Sequence, residues 1–91
     1  MRCIVGTGSS SYPTYCDSIS SNVCAKMTVS STKTTVFSCI SSEFASQIGF
    51  YETITNELKC ILNPNNFPSG EYCFCNTDDC NNKGKFNSWT A

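Results

Sequence analysis

The chain is poor in charge and has no histidine at all. It carries six Lys and Arg against seven Asp and Glu in 91 residues. Without histidine, a serine or cysteine nucleophile has no imidazole base, which excludes that kind of catalysis. The net charge of −1 provides no basic surplus for phosphate groups, so we expect no nucleic-acid partner.

Long apolar runs are also missing. No stretch approaches the ~20 apolar residues of a membrane-spanning helix, so we expect no direct membrane insertion by this segment. No apolar run of signal-peptide length precedes Cys3, and we interpret Met1 as replacing a signal peptide that has been removed. A lipid anchor in the full precursor remains an open alternative.

Cysteine is the residue that the chain has in excess, with eight in 91 residues. A chain this short buries a thin core and often needs covalent cross-links. An even number of cysteines at this density indicates a disulfide framework and an oxidising compartment. We therefore expect a small, mainly β, disulfide-rich domain that is secreted or lies on the extracellular face of the plasma membrane.

Strand patterns occur in three parts of the chain. Residues 4–15 predict two short arms around a Gly- and Ser-rich loop. Residues 25–38 predict a second hairpin, whose polar turn is centred on residues 31–33. A proline-containing loop over 63–70 precedes another short strand at 71–75. The alternation of strands and turns predicts an all-β frame.

Residues 41–58 interrupt the strand pattern. The apolar residues that recur there every three or four positions are Phe44, Ile48, Tyr51, Ile54 and Leu58. This spacing is helical, and with Ser42 as N-cap and a break at Gly49 it predicts a short helix over about 43–49. We favour an inward-facing core stripe, and the alternative is a partner-binding surface that includes Phe44, Ile48 and Tyr51.

The most specific motif is CFCNTDDCN, residues 73–81. With Cys3 near the start of the chain, it resembles the end of domains of the lymphocyte-antigen/urokinase-receptor (LU) family, which is related to the snake three-finger toxins. The one-residue spacer between Cys73 and Cys75 is similar to an invertebrate variant. The resemblance implies three hairpin loops on a disulfide hub over residues 1–81, followed by a flexible tail at 82–91.

The resemblance also implies a disulfide pairing, although eight cysteines by themselves permit roughly a hundred pairings. The implied bridges are Cys3–Cys24, Cys16–Cys39, Cys60–Cys73 and Cys75–Cys80. Asn81 is expected, by the same resemblance, to hydrogen-bond the core backbone. The long segment between Cys39 and Cys60 departs from the toxin pattern, and the predicted short helix lies there.

Metal and catalytic sites are not expected, and we predict no cofactor. The spacing of Cys73, Cys75 and Cys80 does not match the usual spacing of zinc ligands, and no histidine could complete such a site. A weak calcium-loop pattern that begins at Asp79 places Lys83 at a ligand position. The carboxylates form no recognisable acid–base motif, so we expect no enzyme.

The expected function is protein recognition outside the cell. A rigid three-finger scaffold suits a non-enzymatic module that binds a receptor, channel or adhesion partner through its loops. The candidate contact residues at the second finger tip are Ser31, Thr32, Lys33 and Thr34. Two alternatives stay open, a secreted toxin-like ligand and the ligand-binding ectodomain of a single-span receptor.

Overall fold

The computed structural model describes residues 1–16 and 21–82. Its strands are β1 (Arg2–Thr7), β2 (Tyr12–Tyr15), β3 (Val23–Val29), β4 (Thr34–Ile40), β5 (Lys59–Leu62) and β6 (Gly70–Cys75). One helix, α1 (Ser42–Ile48), and short 3-10 turns at Gly8–Ser10 and Cys80–Asn82 complete the described structure. The predicted mainly β, disulfide-rich fold with a short helix is confirmed. The predicted tail, apart from Asn82, lies outside the described residues.

Three antiparallel hairpins follow one another along the chain. Finger one is β1–β2, finger two is β3–β4 and finger three is β5–β6. They share one sheet with the strand order β2-β1-β4-β3-β6-β5. Finger two lies in the middle, because β3 pairs with both β4 and β6. This arrangement is consistent with a three-finger-like fold.

Finger one joins the sheet by a narrow contact. Only Gly6 and Thr7 of β1 pair with β4, where they lie opposite Phe37 and Val36. Gly6 has φ +134°, and a Cβ on it would come within 2.6 Å of the Ser10 carbonyl oxygen. A glycine is therefore required where the loop of finger one folds back on β1.

The long segment between fingers two and three covers one face of the sheet, which we call the helix face. The buried core on this face comprises Val23, Ala25, Ile40, Ala45, Ile48, Phe50, Tyr72 and Phe74. The rings of Phe50 and Phe74 lie 5.0 Å apart between centroids. Because side chains alternate along a strand, Val23 and Ala25 reach this core while Cys24 points to the other face. The insertion therefore supplies three of the eight residues of this core, Ala45, Ile48 and Phe50.

Helix α1 lies where the sequence predicts it, but its first residue differs by one. Ser41, not the predicted Ser42, is the N-cap, and its Oγ accepts a hydrogen bond from the Phe44 N–H at 3.1 Å. Ser41 is extended, with φ −89° and ψ 157°, as an N-cap must be. The helix ends at Gly49, whose φ of +125° no other residue adopts easily. The chain then leaves the helical path before Tyr51.

Three cysteines lie side by side on the opposite face of the sheet. Cys24 of β3 is directly opposite both Cys39 of β4 and Cys75 of β6. Residues directly opposite in antiparallel strands point to the same face. A second buried cluster forms there, made of Cys3, Cys24, Cys75 and Cys80. We call this side the disulfide face.

Candidate binding surfaces

Four disulfides hold the bases of the fingers together. The bonds are Cys3–Cys24, Cys16–Cys39, Cys60–Cys73 and Cys75–Cys80, the same pairs that the LU resemblance implies. The first two connect finger one to finger two, the third lies within finger three, and the fourth closes a terminal loop. The described cysteines are all bonded. The ends of the hairpins that lie away from these bonds therefore protrude. We call the group of four bonds the hub.

Asn81 joins finger one to finger two beneath the hub. Its side chain is fully buried, and its Oδ1 accepts a hydrogen bond from the Ile4 N–H at 3.0 Å. Its Nδ2 donates to the Ile4 carbonyl at 3.0 Å and to the Ala25 carbonyl at 2.9 Å. One amide therefore satisfies three backbone groups of two strands, which is a positioning role and not a partner contact.

An ion pair that the sequence analysis did not identify lies beside this anchor. The Arg2 guanidinium donates to both carboxylate oxygens of Asp79, and the shortest N–O distance is 2.6 Å. The hydrogen bond to Asp79, and then its negative charge, raise the pKa of Arg2 above its usual value. Arg2 also lies over the ring of Tyr15, 5.9 Å from its centroid. No local pattern marks this pair, because 77 residues separate its members.

The tip of finger two is exposed and is closed by backbone hydrogen bonds. Ser31, Thr32 and Lys33 are all exposed, and Thr34 is half-buried. The Lys33 N–H donates to the Val29 carbonyl at 2.8 Å and closes the turn. Lys33 adopts a left-handed backbone conformation with φ 56°. The four predicted contact residues thus lie next to one another, with Ser31, Thr32 and Lys33 in the turn and Thr34 at the start of β4.

The apolar stripe of the insertion does not act as one surface. Ile48 is 1% exposed and belongs to the core, as the favoured interpretation of the stripe expects, so its side chain offers little surface to a partner. Tyr51 is 84% exposed, so the favoured core interpretation is wrong for this residue. The reason is that Gly49 ends the helix and turns the chain before position 51. Phe44 is 36% exposed and contacts Phe67 edge-on, with 5.9 Å between ring centroids.

Tyr51 forms the common wall of two surface grooves. One groove has a volume of about 290 Å³ and is bordered by Phe50, Glu52 and Asn76. The other has a volume of about 280 Å³ and runs along Ile61, Leu62 and the asparagine-rich loop of finger three. Leu62, which the sequence analysis did not single out, is 70% exposed. An aromatic ring and a leucine therefore border the same groove on the outer side of finger three.

Two groups of potential metal ligands occur among the described residues. They are Cys3 with Cys16 and Cys39, and Cys60 with Cys73 and Glu71. All five cysteines are bonded in disulfides, which removes the thiolate that a metal requires. Neither group therefore constitutes a candidate metal centre.

Comparisons with protein families, with curated proteins and with solved structures find no significant match to this chain. In the described ranges, no helix is long and apolar enough to cross a bilayer.

Proposed function

We propose that this chain is an LU-type three-finger domain that acts outside the cell as a non-enzymatic protein-binding module. The proposal draws on the four disulfides, which pair as the resemblance implies and suit an oxidising compartment. It places the primary contact at the tip of finger two. The partner is an extracellular or membrane-receptor protein with an acidic contact patch.

The observation that carries the proposal is the ordered turn at the end of finger two. Besides the bond that closes the turn, the Ser30 N–H donates to the Ser69 carbonyl of finger three at 2.9 Å. The tip is thus held by a neighbouring finger as well as by its own strands. A loop that is already ordered loses less conformational entropy on binding than a mobile one.

Lys33 sets the chemistry of the expected partner. It is exposed, and no carboxylate among the described residues forms a salt bridge with it. Hydroxyl groups of Ser31 and Thr32 flank it and offer additional donors and acceptors. A carboxylate on the partner could therefore pair with the Lys33 ammonium group and hydrogen-bond to the hydroxyl groups beside it. For this reason we expect the contact patch of the partner to be acidic.

The test is binding of the labelled protein to the surface of intact cells, measured as a saturable signal over a concentration series. Lys33→Asn is the informative variant, because asparagine removes the charge and tolerates the left-handed conformation at this position. We expect its affinity to fall by at least about tenfold, since a hydrogen bond to a charged group contributes ~1.5–3 kcal/mol.

Lys26→Gln is the matched control. It removes the same charge from the middle of β3 and not from the tip, so its binding should stay close to that of the wild type. Binding that survives Lys33→Asn unchanged would show that the tip of finger two is not the contact. Absence of saturable binding to every cell type tested would remove the support for a receptor-directed module.

A further inference from the structure

The sheet has two edge strands, and they differ in how they meet solvent. The order of strands places β2 at one edge and β5 at the other. In an antiparallel pair, successive residues alternately direct their N–H and C=O toward the neighbouring strand and away from it. Each edge therefore presents the backbone groups of every second residue to its surroundings.

The β2 edge is blocked by a proline. The Cys16 N–H donates to the Met1 carbonyl, which fixes the alternation along this hairpin. Tyr12 and Thr14 then direct their backbone groups to β1, and Pro13 and Tyr15 direct theirs outward. Pro13 has no N–H to donate, so a further strand cannot pair regularly along β2.

The β5 edge has no such block. The Asn63 N–H donates to the Gly70 carbonyl, so Lys59 and Ile61 bond to β6 and the backbone groups of Cys60 and Leu62 point outward. No hydrogen-bond partner for these groups is found in the described part of the chain. Cys60 is exposed and Leu62 is 70% exposed, so no side chain of the described fold shields this edge.

We propose that the β5 edge is the interface of a homodimer, in which two copies pair antiparallel about a twofold axis at Ile61. Cys60 then lies opposite Leu62 of the second copy, and Leu62 lies opposite Cys60 of the second copy. These are the residues with outward N–H and C=O groups, so each pair exchanges two hydrogen bonds. The two six-stranded sheets become one continuous sheet.

The second copy is favoured over an unrelated strand because this edge is self-complementary. Within β5, Lys59 is the charged residue, and a twofold axis at Ile61 keeps it away from its own symmetry mate. The paired segment ends before Asn63, whose backbone is left-handed with φ 49°. The side chains of Cys60 and Leu62 point to the disulfide face, so each Leu62 covers the exposed Cys60 of the other copy. Two solvent-exposed apolar groups are buried by the same twofold contact.

The size of the edge sets the strength of the dimer. A four-residue strand is ~13 Å long, which by itself buries less than the ~1,200 Å² of a standard interface. Tyr51 and the groove beside Leu62 adjoin the edge and add contact area. We therefore expect a reversible dimer that dissociates on dilution, and the finger-two tip plays no part in it.

The experiment is sedimentation velocity of the full chain over a concentration series that reaches the millimolar range. The expected result is a monomer–dimer equilibrium that Leu62→Lys shifts at least about tenfold toward monomer, because it replaces the leucine that packs on Cys60 of the second copy with a charge that the contact would bury. Leu62→Pro, which removes one outward N–H and leaves the bonds to β6 intact, should do the same. Tyr12→Lys, which places the same charge on the proline-blocked edge, should dimerise like the wild type.

Amide hydrogen exchange tests the register. At high concentration the Cys60 and Leu62 amides should become protected, while at low concentration they should exchange freely. A monomer at every concentration, a dimer that Leu62→Lys leaves unchanged, or a dimer with unprotected Cys60 and Leu62 amides would each overturn the proposal. The proposal would also be overturned if the chain alone stayed monomeric and its β5 edge paired only with a strand from another protein.

Discussion

Asn81→Ala should be among the most damaging single substitutions in this domain. It removes an amide that bonds to the Ile4 N–H, the Ile4 carbonyl and the Ala25 carbonyl, at 2.9 to 3.0 Å. A buried polar group left without a partner costs ~1–3 kcal/mol. Three such groups set an upper range of ~3–9 kcal/mol, and local relaxation with entry of water reduces it, so we expect a loss of about 3–5 kcal/mol.

The assay is denaturant unfolding with the disulfides intact, followed by far-ultraviolet circular dichroism and analysed by linear extrapolation. Asn82→Ala is the matched control, because Asn82 is the next residue, is of the same type, and is half-buried. Its Oδ1 is buried and has no hydrogen-bond partner among residues 1–16 and 21–82. Removing this unpaired group should leave the free energy of unfolding unchanged or raise it, because an unsatisfied buried polar atom costs stability. Equal losses for the two variants would refute the reasoning.

Asn81→Asp tests the same hydrogen bonds through the dependence of stability on pH. The new carboxylate would replace the Nδ2 that donates to two carbonyls, and burial beside those carbonyls would raise its pKa in the folded state. A folded-state pKa above the unfolded value means that the variant is most stable, relative to the wild type, below about pH 4, and that it loses this stability as the pH rises. A pH-independent difference between Asn81→Asp and the wild type would contradict this mechanism.

Other substitutions and treatments probe the remaining features. Gly70→Ala should lower the free energy of unfolding by ~3 kcal/mol or more, because a Cβ there would lie 2.0 Å from a carbonyl oxygen of β3; a thermal melt measures this. Phe50→Ala should lower the free energy of unfolding by ~3–5 kcal/mol, because Phe50 lies in the core, whereas Tyr51→Ala should change it by less than ~0.5 kcal/mol. A larger loss for Tyr51→Ala than for Phe50→Ala in urea unfolding would disprove the placement of Phe50 in the core and Tyr51 on the surface. Mild reductant should open Cys60–Cys73 before the other bridges, since Cys60 is exposed; alkylation and peptide mapping identify the first bridge lost.

Much of the local structure could be predicted from the sequence. Helix α1 was expected within one residue because Gly49 supplies an unambiguous end. Its start is less certain from sequence, because Ser41 and Ser42 are chemically identical candidates for the cap and only the backbone conformation selects one. The exposure of Tyr51 was missed because the helical spacing continues in the sequence after the helix itself has stopped.

The long-range pairings have no local signal. Nothing near Arg2 indicates that it meets Asp79, and nothing near Gly6 indicates that β1 will touch β4 at Phe37. The unpaired edge of β5 likewise follows from the strand order. It can be recognised only when β6 is known to be the one strand of the sheet that pairs with β5. The disulfide partners came from resemblance and not from spacing.

The row of Cys39, Cys24 and Cys75 across the central strands has a consequence for how the protein matures. Cys24 has two neighbouring cysteines in the same row of the sheet, yet it bonds to Cys3 of another hairpin. Proximity within the sheet does not select the native bond. An intermediate that oxidises Cys24 with either neighbour would keep nearly the native strand pairing, so little strain would drive its repair. Maturation of this chain should therefore depend on thiol–disulfide exchange, and a disulfide isomerase should raise the yield of native protein.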